Sequence, residues 1–427
     1  MLTAMSAAAP PPSSQATPAA RDRGDACPGT LRLHAADDGA LARIRLPGGV
    51  LSAGQARALG VAARRLGDGD LHLTSRGNVQ LRGLSPGCGA ALAELLDAAG
   101  LLPSREHERV RNVVASPLSG LGGGGLRDVR PWLTALDTAL CASRAAEGLS
   151  GRFLFAVDDG RGDMSGLGAD VTVRALADGG AWLAPGSVRV SAEDAPRAAL
   201  AAAEAFLEAA RSQGKRAWRV SELGSSRDEM GRLVRDRLGS EGIGHEDHPE
   251  PAGVADGPPP GAVEGAVSVH VPLGRLSAHQ WEELTDVAGS ELRLTPWRGV
   301  VLPVAGMATG GAAEALARLG AAGLVTDRAS PWLRVGACIG RPGCAKAHAD
   351  VRADAARALD AAGGPGPPLY WSGCDRRCGH PRTDHVEVVA APGGGYRLSA
   401  APAGPRPRTA FAADPSQIRA ALAAITP

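Results

Sequence analysis

Pro47-Gly48-Gly49-Val50-Leu51-Ser52-Ala53-Gly54-Gln55 returns later in the chain as Pro272-Leu273-Gly274-Arg275-Leu276-Ser277-Ala278-His279-Gln280, with six of nine positions identical. Each copy leads through a helical stretch into Leu-x-Leu-Thr, at Leu71-His72-Leu73-Thr74 and Leu292-Arg293-Leu294-Thr295. Further on, Arg109-Val110 precedes Pro117 as Arg334-Val335 precedes Pro342. The first and last matches share an offset of 225 residues (272 against 47, 334 against 109). Chance explains one such match, not several in the same order. The chain reads as two homologous halves, roughly 30–240 and 262–402. Between them lies a linker that carries His245, His248 and the run Pro258-Pro259-Pro260.

Within each half the pattern predicts the same order. A strand (42–46 or 266–271) precedes a helix that a serine can cap, Ser52 or Ser277. Period-2 strands follow at 70–74 and 79–81, or 291–295 and 300–304. A helix comes next (89–99 or 312–319), then a mixed segment ending in strands such as 170–174 and 385–389. This is an α+β class with two pseudo-symmetric halves, and the cleft between them is the default site.

At 427 residues the chain exceeds one ordinary core. A net charge of +1 recruits neither nucleic acid nor a membrane, and no apolar run is long enough to span a bilayer. Aromatics at 3% argue against stacking platforms for single strands. The Ala/Pro/Ser-rich start, residues 1–23, reads as a disordered tail rather than a signal peptide. A cytoplasmic protein with reduced cysteines is expected. Only Lys215 and Lys346 are lysines, so 44 of the 46 cations are arginines.

Four of the seven cysteines form two tight pairs, Cys338/Cys344 around five residues and Cys374/Cys378 around three. Buried or disulfide-paired thiols are the bland reading. Zinc knuckles favour shorter loops on both sides. A loop of five with two glycines and a proline wraps something bulkier, such as a cubane iron–sulfur cluster. A helical stretch is expected over 345–361, its N-terminus near Cys344 favouring an anionic centre. The turn Gly373 to Gly379 offers amides to sulfides. Cys27, Cys88 and Cys141 lack this geometry and read as bystanders.

Two arginine motifs stand in the first half. Thr74-Ser75-Arg76-Gly77-Asn78-Val79-Gln80-Leu81-Arg82-Gly83 is replaced in the second by Thr295-Pro296-Trp297-Arg298-Gly299. Arg109-Val110-Arg111-Asn112-Val113 corresponds to the segment that runs into Cys338. The asymmetry points to anion recognition by one half, with Arg76 and Arg111 facing a ligand seated on the cluster. The alternative for any single arginine is a solvated surface charge.

Together these motifs resemble the nitrite and sulfite reductase superfamily: Cys-x5-Cys, Cys-x3-Cys, Thr-x-Arg-x-x-x-Gln and Arg-Asn-Val, in family order over about residues 40–400. The resemblance implies a ferredoxin-like half-domain plus a reductase-type α/β domain in each half. The implied boundaries are a tail at 1–28, half-domain 1 at 29–104, α/β domain 1 at 105–240 and a Pro/Gly linker at 241–264. Half-domain 2 then spans 265–328, the 4Fe-4S-binding α/β domain 2 spans 329–402, and a tail or helix spans 403–427. It implies a 4Fe-4S cluster on Cys338, Cys344, Cys374 and Cys378. In sirohaem reductases the last cysteine also ligates the haem iron, which would be Cys378. Arg76 and Arg111 would contact the anion or the macrocycle.

The reductases carry two lysines that protonate an oxyanion. Here Arg152 and Leu154 take their places, and arginine is a poor proton donor. Phe153-Leu154-Phe155-Ala156-Val157-Asp158-Asp159-Gly160, Cys27-Pro28-Gly29, the Arg-Ile-Arg-Leu-Pro-Gly-Gly run and the turn 372–381 resemble the precorrin-3B synthase branch. That branch implies oxygen-dependent hydroxylation of precorrin-3A at C20 with γ-lactone formation, in cobalamin biosynthesis. Dioxygen and an external electron donor, an NADH-linked reductase or a ferredoxin, would be partners. Gly122–Gly125 is no convincing dinucleotide fingerprint.

Arg76, Arg82, Arg111 and Arg152 are the expected substrate-binding residues, with Arg341, Arg376 and Arg377 as further candidates. Arg76, Arg111, Arg152 and Asp158 are the expected catalytic set. Asp158 and Asp159 also read as an ordinary polar turn. Besides the cluster, a sirohaem or a mononuclear non-haem iron is implied; His72, His107, His348 and His380 are possible ligands. The alternatives are a sirohaem-dependent sulfite or nitrite reductase and a non-enzymatic four-cysteine zinc protein.

Overall fold

The computed structural model describes residues 25, 27–308, 310–363, 366–381, 384–400 and 408–425. Most of the N-terminal tail lies outside the described residues. The repeated nonapeptide proves to be the segment that ties the halves together. The first small sheet has the order His34–Ala36, Gly39–Ile44, Val79–Leu84, Leu71–Leu73, Arg275–Leu276. The second has the order Gly261–Val263, Ala266–His270, Gly299–Pro303, Glu291–Leu294, Val50–Ser52. The last strand of each sheet comes from the other half: Arg275 faces His72, and Ser52 faces Glu291, both antiparallel.

The crossing explains which residues recur. Gly49 (φ 70) and Gly274 (φ 69) both have left-handed backbone. A Cβ on Gly49 would run into the Leu294 carbonyl oxygen, and one on Gly274 would come within 3.2 Å of the Leu73 oxygen. Only glycine meets both demands without strain. Ser52 and Ser277 then open helices Ala53–Leu66 and Ala278–Ala288 with reciprocal capping boxes to Gln55 and Gln280. These helices lie together: Trp281 Nε1 donates to the Ala56 oxygen at 2.8 Å, over Gly60. Leu51, Leu59, Leu71, Val79, Val267, Trp281, Leu284 and Val300 belong to one apolar core drawn from both halves.

Each half adds a second sheet, of six strands in the first half and five in the second. The first runs Val113–Ala115, Phe155–Asp158, Val171–Ala175, Ala181–Ala184, Val188–Val190, His245–Asp247. The second runs Val335–Ala337, Leu369–Ser372, Val386–Ala390, Tyr396–Ala400, Arg408–Ala412. In both, the first three strands are parallel and the rest antiparallel. Helices Arg130–Ala142 and Ala195–Ser212 cover the first sheet; Val351–Arg357 and Ile418–Ile425 cover the second.

Two expectations are corrected. The stretch 241–264 is not plain linker. His245–Asp247 pairs with Val188–Val190, and Gly261–Val263 pairs with Ala266–Ser268, satisfying sheet-edge backbone. Nor does a helix start at Cys344. Tertiary hydrogen bonds take the backbone first: Arg341 N–H to the Ala349 oxygen (3.0 Å) and His348 N–H to the Gly373 oxygen (2.8 Å). The helix begins at Val351, where Asp350 accepts from Ala353 N–H at 3.1 Å. Its dipole therefore does not begin at Cys344.

Candidate functional site

Strands Val335–Ala337 and Leu369–Ser372 run in parallel and end together, delivering Cys338 and Cys374 to one edge. Cys338 N–H donates to the Trp371 oxygen at 2.9 Å, and Gly373 N–H donates to Cys338 Sγ at 3.1 Å. Burial pushes the Cys338 thiol up; the amides of Gly373 and Gly340 pull it back, and Cys378 and Cys374 push it up further. Cys338, Cys374 and Cys378 are therefore electrostatic neighbours. Tyr370 Oη donates to the Cys378 oxygen at 2.7 Å, fixing the Cys374–Cys378 turn. Burial pushes the Tyr370 phenol up to about 12, so it remains a donor.

All four cysteines are free, and among the described residues no three of their sulfurs lie within 4.8 Å of one another. Tetrahedral zinc at Zn–S ≈ 2.3 Å would need sulfurs about 3.8 Å apart. An N–H aimed at sulfur, beside four free thiols on two neighbouring loops, fits a soft thiolate-bound centre. Ser372 Oγ and Trp371 Nε1, buried beside the turn, have no hydrogen-bond partner among the described residues.

The first half gathers five arginines into one basic wall. Burial pushes Arg45 down to about 9, with the charge of Arg43 next in weight and that of Arg76 also contributing. Arg76 is pushed down to about 10 by burial and then by Arg219. Arg43 is lowered by burial and also feels Arg152. The five guanidinium groups thus form a chain of like charges, offset by Asp25 and by Asp170, which pairs with Arg219 at 2.5 Å. Arg152 lies exposed, 4.7 Å over the Trp218 ring. Such a surplus of positive charge, partly desolvated, favours anions over cations.

Arg45 and two asparagines lock this wall. Arg45 Nη1 and Asn78 Nδ2 both donate to Asn112 Oδ1 at 3.1 Å, and Asn112 Nδ2 donates to the Phe153 oxygen at 2.9 Å. Arg45 is 3% exposed and its Nε has no hydrogen-bond partner among the described residues. Cys27 belongs to the same wall: a Cβ on Gly151 would lie 2.9 Å from Cys27 Cβ and 3.1 Å from Arg45 Nη2. Arg43, Arg45, Arg219 and Trp218 were not singled out from sequence. The signal was there for two of them: arginines flank a core isoleucine in Arg43-Ile44-Arg45, charging one face of a strand.

Several expected residues do other work. Arg82, 5% exposed, is bidentate to Asp38 (2.7 Å twice) and also donates to the Gly343 oxygen at 2.9 Å. Arg111 is bidentate to Asp137 at 2.7 and 2.6 Å, and with Arg45 it lines a cavity of about 800 Å³. Neither fork is left for a substrate carboxylate. Asp158 is fully buried and accepts N–H from Gly160, Gly162 and Met164 at 2.9, 2.9 and 3.1 Å. It holds a turn, with Arg174 3.8 Å away. His107 has both ring nitrogens engaged, by Ser104 and the Ser143 oxygen. His348 and His380 are exposed, as are Arg341 and Arg376.

Among the described residues, two carboxylate-bearing clusters draw their ligand atoms within 4.8 Å: Asp68/Asp70/His72 and Asp158/Asp159/Asp163. Arginines already answer both. Arg275 donates to Asp70 at 2.6 Å, and Arg352 Nη1 meets His72 Nδ1 at 3.3 Å. A guanidinium has only donors, so His72 Nδ1 is the acceptor and its proton sits on Nε2. In the second cluster Arg161 takes Asp159 at 2.8 Å, and Arg174 stands 3.8 Å from Asp158.

Residues 34–99 and 263–319 each match the nitrite/sulfite reductase ferredoxin-like half domain. The chain thus carries two copies of that half domain, joined by the exchange of strands. It is 27% identical over 416 residues to the precorrin-3B synthase of Sinorhizobium sp, covering 92% of this chain and 86% of that one. It is 27% identical over 399 residues to the ferredoxin–nitrite reductase of Synechococcus elongatus, covering 82% and 76%. The Mycobacterium tuberculosis NirA structure superposes with a TM-score of 0.65 at 18% identity, over 89% of this chain and 79% of that one. Among the described residues no helix is long and apolar enough to cross a membrane.

Proposed function

We propose that the protein is an oxygen-dependent oxidoreductase of the precorrin-3B synthase type, hydroxylating precorrin-3A at C20 with closure of a γ-lactone. The carrying observation is the chain of five arginines, Arg43, Arg45, Arg76, Arg152 and Arg219, in the half that lacks the cysteine pairs. Precorrin-3A is a polycarboxylate, and guanidinium forks suit its acetate and propionate arms. Cys338, Cys344, Cys374 and Cys378 hold a 4Fe-4S cluster in this reading, and the cluster supplies one-electron transfer.

The remaining chemistry belongs to the chain. Arg76 and Arg152 orient the macrocycle by its carboxylates, and Trp218 offers a flat apolar face beneath Arg152. Arg45, held by Asn112 and the Gly151 oxygen, presents fixed positive charge that needs no reorganisation. One oxygen atom of dioxygen enters the substrate as hydroxyl; the other leaves as water with two electrons and two protons. The electrons come from a separate donor, a ferredoxin or an NADH-linked reductase, in the cytosol. Multi-proton oxyanion reduction is disfavoured because guanidinium groups line the wall. Of the two lysines, Lys215 donates to the Leu223 oxygen at 2.5 Å and Lys346 is exposed beside Cys344.

Incubation with precorrin-3A, a reductant and ¹⁸O₂ tests the reading. A product heavier by one labelled oxygen supports it. Sulfite or nitrite turnover with reduced viologen, and no labelled product, replaces it with the reductase reading.

A further inference from the structure

We propose that Asp37, Asp38 and Arg82, on the sheet of the first half, are positioning residues for Cys344 in the second. The proposal rests on reading the four cysteines as one cluster site. Cys338 and Cys374 are delivered by paired parallel strands, and the Cys378 turn is tied by Tyr370. Cys344 sits in a loop outside any strand or helix. Its position is supplied from across the molecule.

The contacts bracket it on both sides. Asp37 and Asp38 form the turn between strands His34–Ala36 and Gly39–Ile44. Asp37 Oδ2 accepts the N–H of Ala345, directly after Cys344, at 2.6 Å. Arg82, fixed by its fork to Asp38, donates Nη2 to the oxygen of Gly343, directly before Cys344, at 2.9 Å. Gly343 packs so closely that a Cβ would lie 2.8 Å from Asp38 Oδ2. A second arm reaches Cys338: Arg352 Nε donates to its oxygen at 3.2 Å while Nη1 meets His72 of the first sheet.

The other half shows the same grip on a loop without cysteines. Arg293, the counterpart of His72, donates to the oxygens of Pro117 and Ser119 at 2.8 and 2.7 Å. Gly265, in the corresponding hairpin turn, lies against the Leu121 oxygen. The crossed grip is therefore a feature of the duplicated architecture, and in one copy the gripped loop carries a ligand. It also places a carboxylate and a guanidinium within one residue of that ligand, where their charges act on a reducible centre.

The test uses the full chain, purified without air. Iron and acid-labile sulfide, the electron paramagnetic resonance of the reduced protein and its midpoint potential are measured. Arg82→Met shortens the lifetime of the centre in air by about tenfold and moves the midpoint negative, because a cation is lost. Asp37→Asn, at an exposed side chain, moves the midpoint positive. Arg82→Lys restores the charge without the fork, recovering the midpoint more than the lifetime. Arg293→Met, which removes the arginine that grips the other loop, leaves the resonance and midpoint unchanged. Wild-type lifetime and midpoint in both Arg82→Met and Asp37→Asn overturn the proposal; if Arg82→Met does not fold, Asp37→Asn decides. Absence of iron and sulfide in the unaltered protein overturns the cluster reading itself.

Discussion

At the scale of single residues, partners decide which charges are available. Arg82 and Arg111 each spend a bidentate fork on an aspartate, whereas Arg152 stacks on Trp218 with its surface open. Arg76→Ala and Arg152→Ala are each expected to weaken binding of a carboxylated tetrapyrrole by about tenfold or more, the scale of one charge-assisted hydrogen bond. Fluorescence titration checks this, with Arg111→Ala as a comparison that should act on stability first. Asp163 gives a pH signature. It is 3% exposed, with Ser116 Oγ donating to it at 2.6 Å, and burial pushes its carboxyl up to about 7. Between about pH 4 and 7 the unfolded chain releases this proton while the folded one keeps it. Stability therefore falls as pH rises through that window, by up to about 4 kcal/mol, and the loss saturates above it. Urea midpoints at pH 5 and pH 8 should differ less in Asp163→Asn, which should be the more stable protein at pH 8.

At the scale of elements, the nonapeptide carries turn, strand and helix start in one run. Ser277→Ala removes one side of a capping box and should cost about 1 kcal/mol in thermal or urea unfolding. Gly49→Ala should cost more than about 3 kcal/mol, since a left-handed backbone and a collision with the Leu294 carbonyl add together. These elements were legible because Ser-x-x-Gln and Leu-x-Leu-Thr are local signals. The loop from Cys344 to Asp350 was not. Its composition is helical, but its amides and carbonyls are claimed by Gly373, Arg341 and Asp37, which local propensity cannot register.

At the scale of the molecule, each half lacks a strand that the other supplies. The two small sheets share one core around Trp281, Leu51 and Leu276. Residues 258–427 expressed alone should neither fold cooperatively nor hold iron, and co-expression with residues 1–257 should restore both. Calorimetry and iron content read the outcome; a folded, iron-bearing fragment would show that the exchange is dispensable. Trp281→Ala should cost about 3–5 kcal/mol, because it opens the seam between the halves.

The sequence alone determined the duplication, the four cysteines and the arginine excess, because repeats, ligand spacing and composition survive without coordinates. It also carried Arg76 and Arg152 as anion-binding candidates. Tertiary structure decided that the halves exchange strands, that Arg82 and Arg111 are spoken for, and that Arg43, Arg45 and Arg219 join Arg76 and Arg152 on one wall. The reason is physical: a guanidinium's role depends on whether a carboxylate lies within hydrogen-bond reach. Asp38, Asp137 and Asp170 reach their arginines through chain crossings that no local pattern encodes.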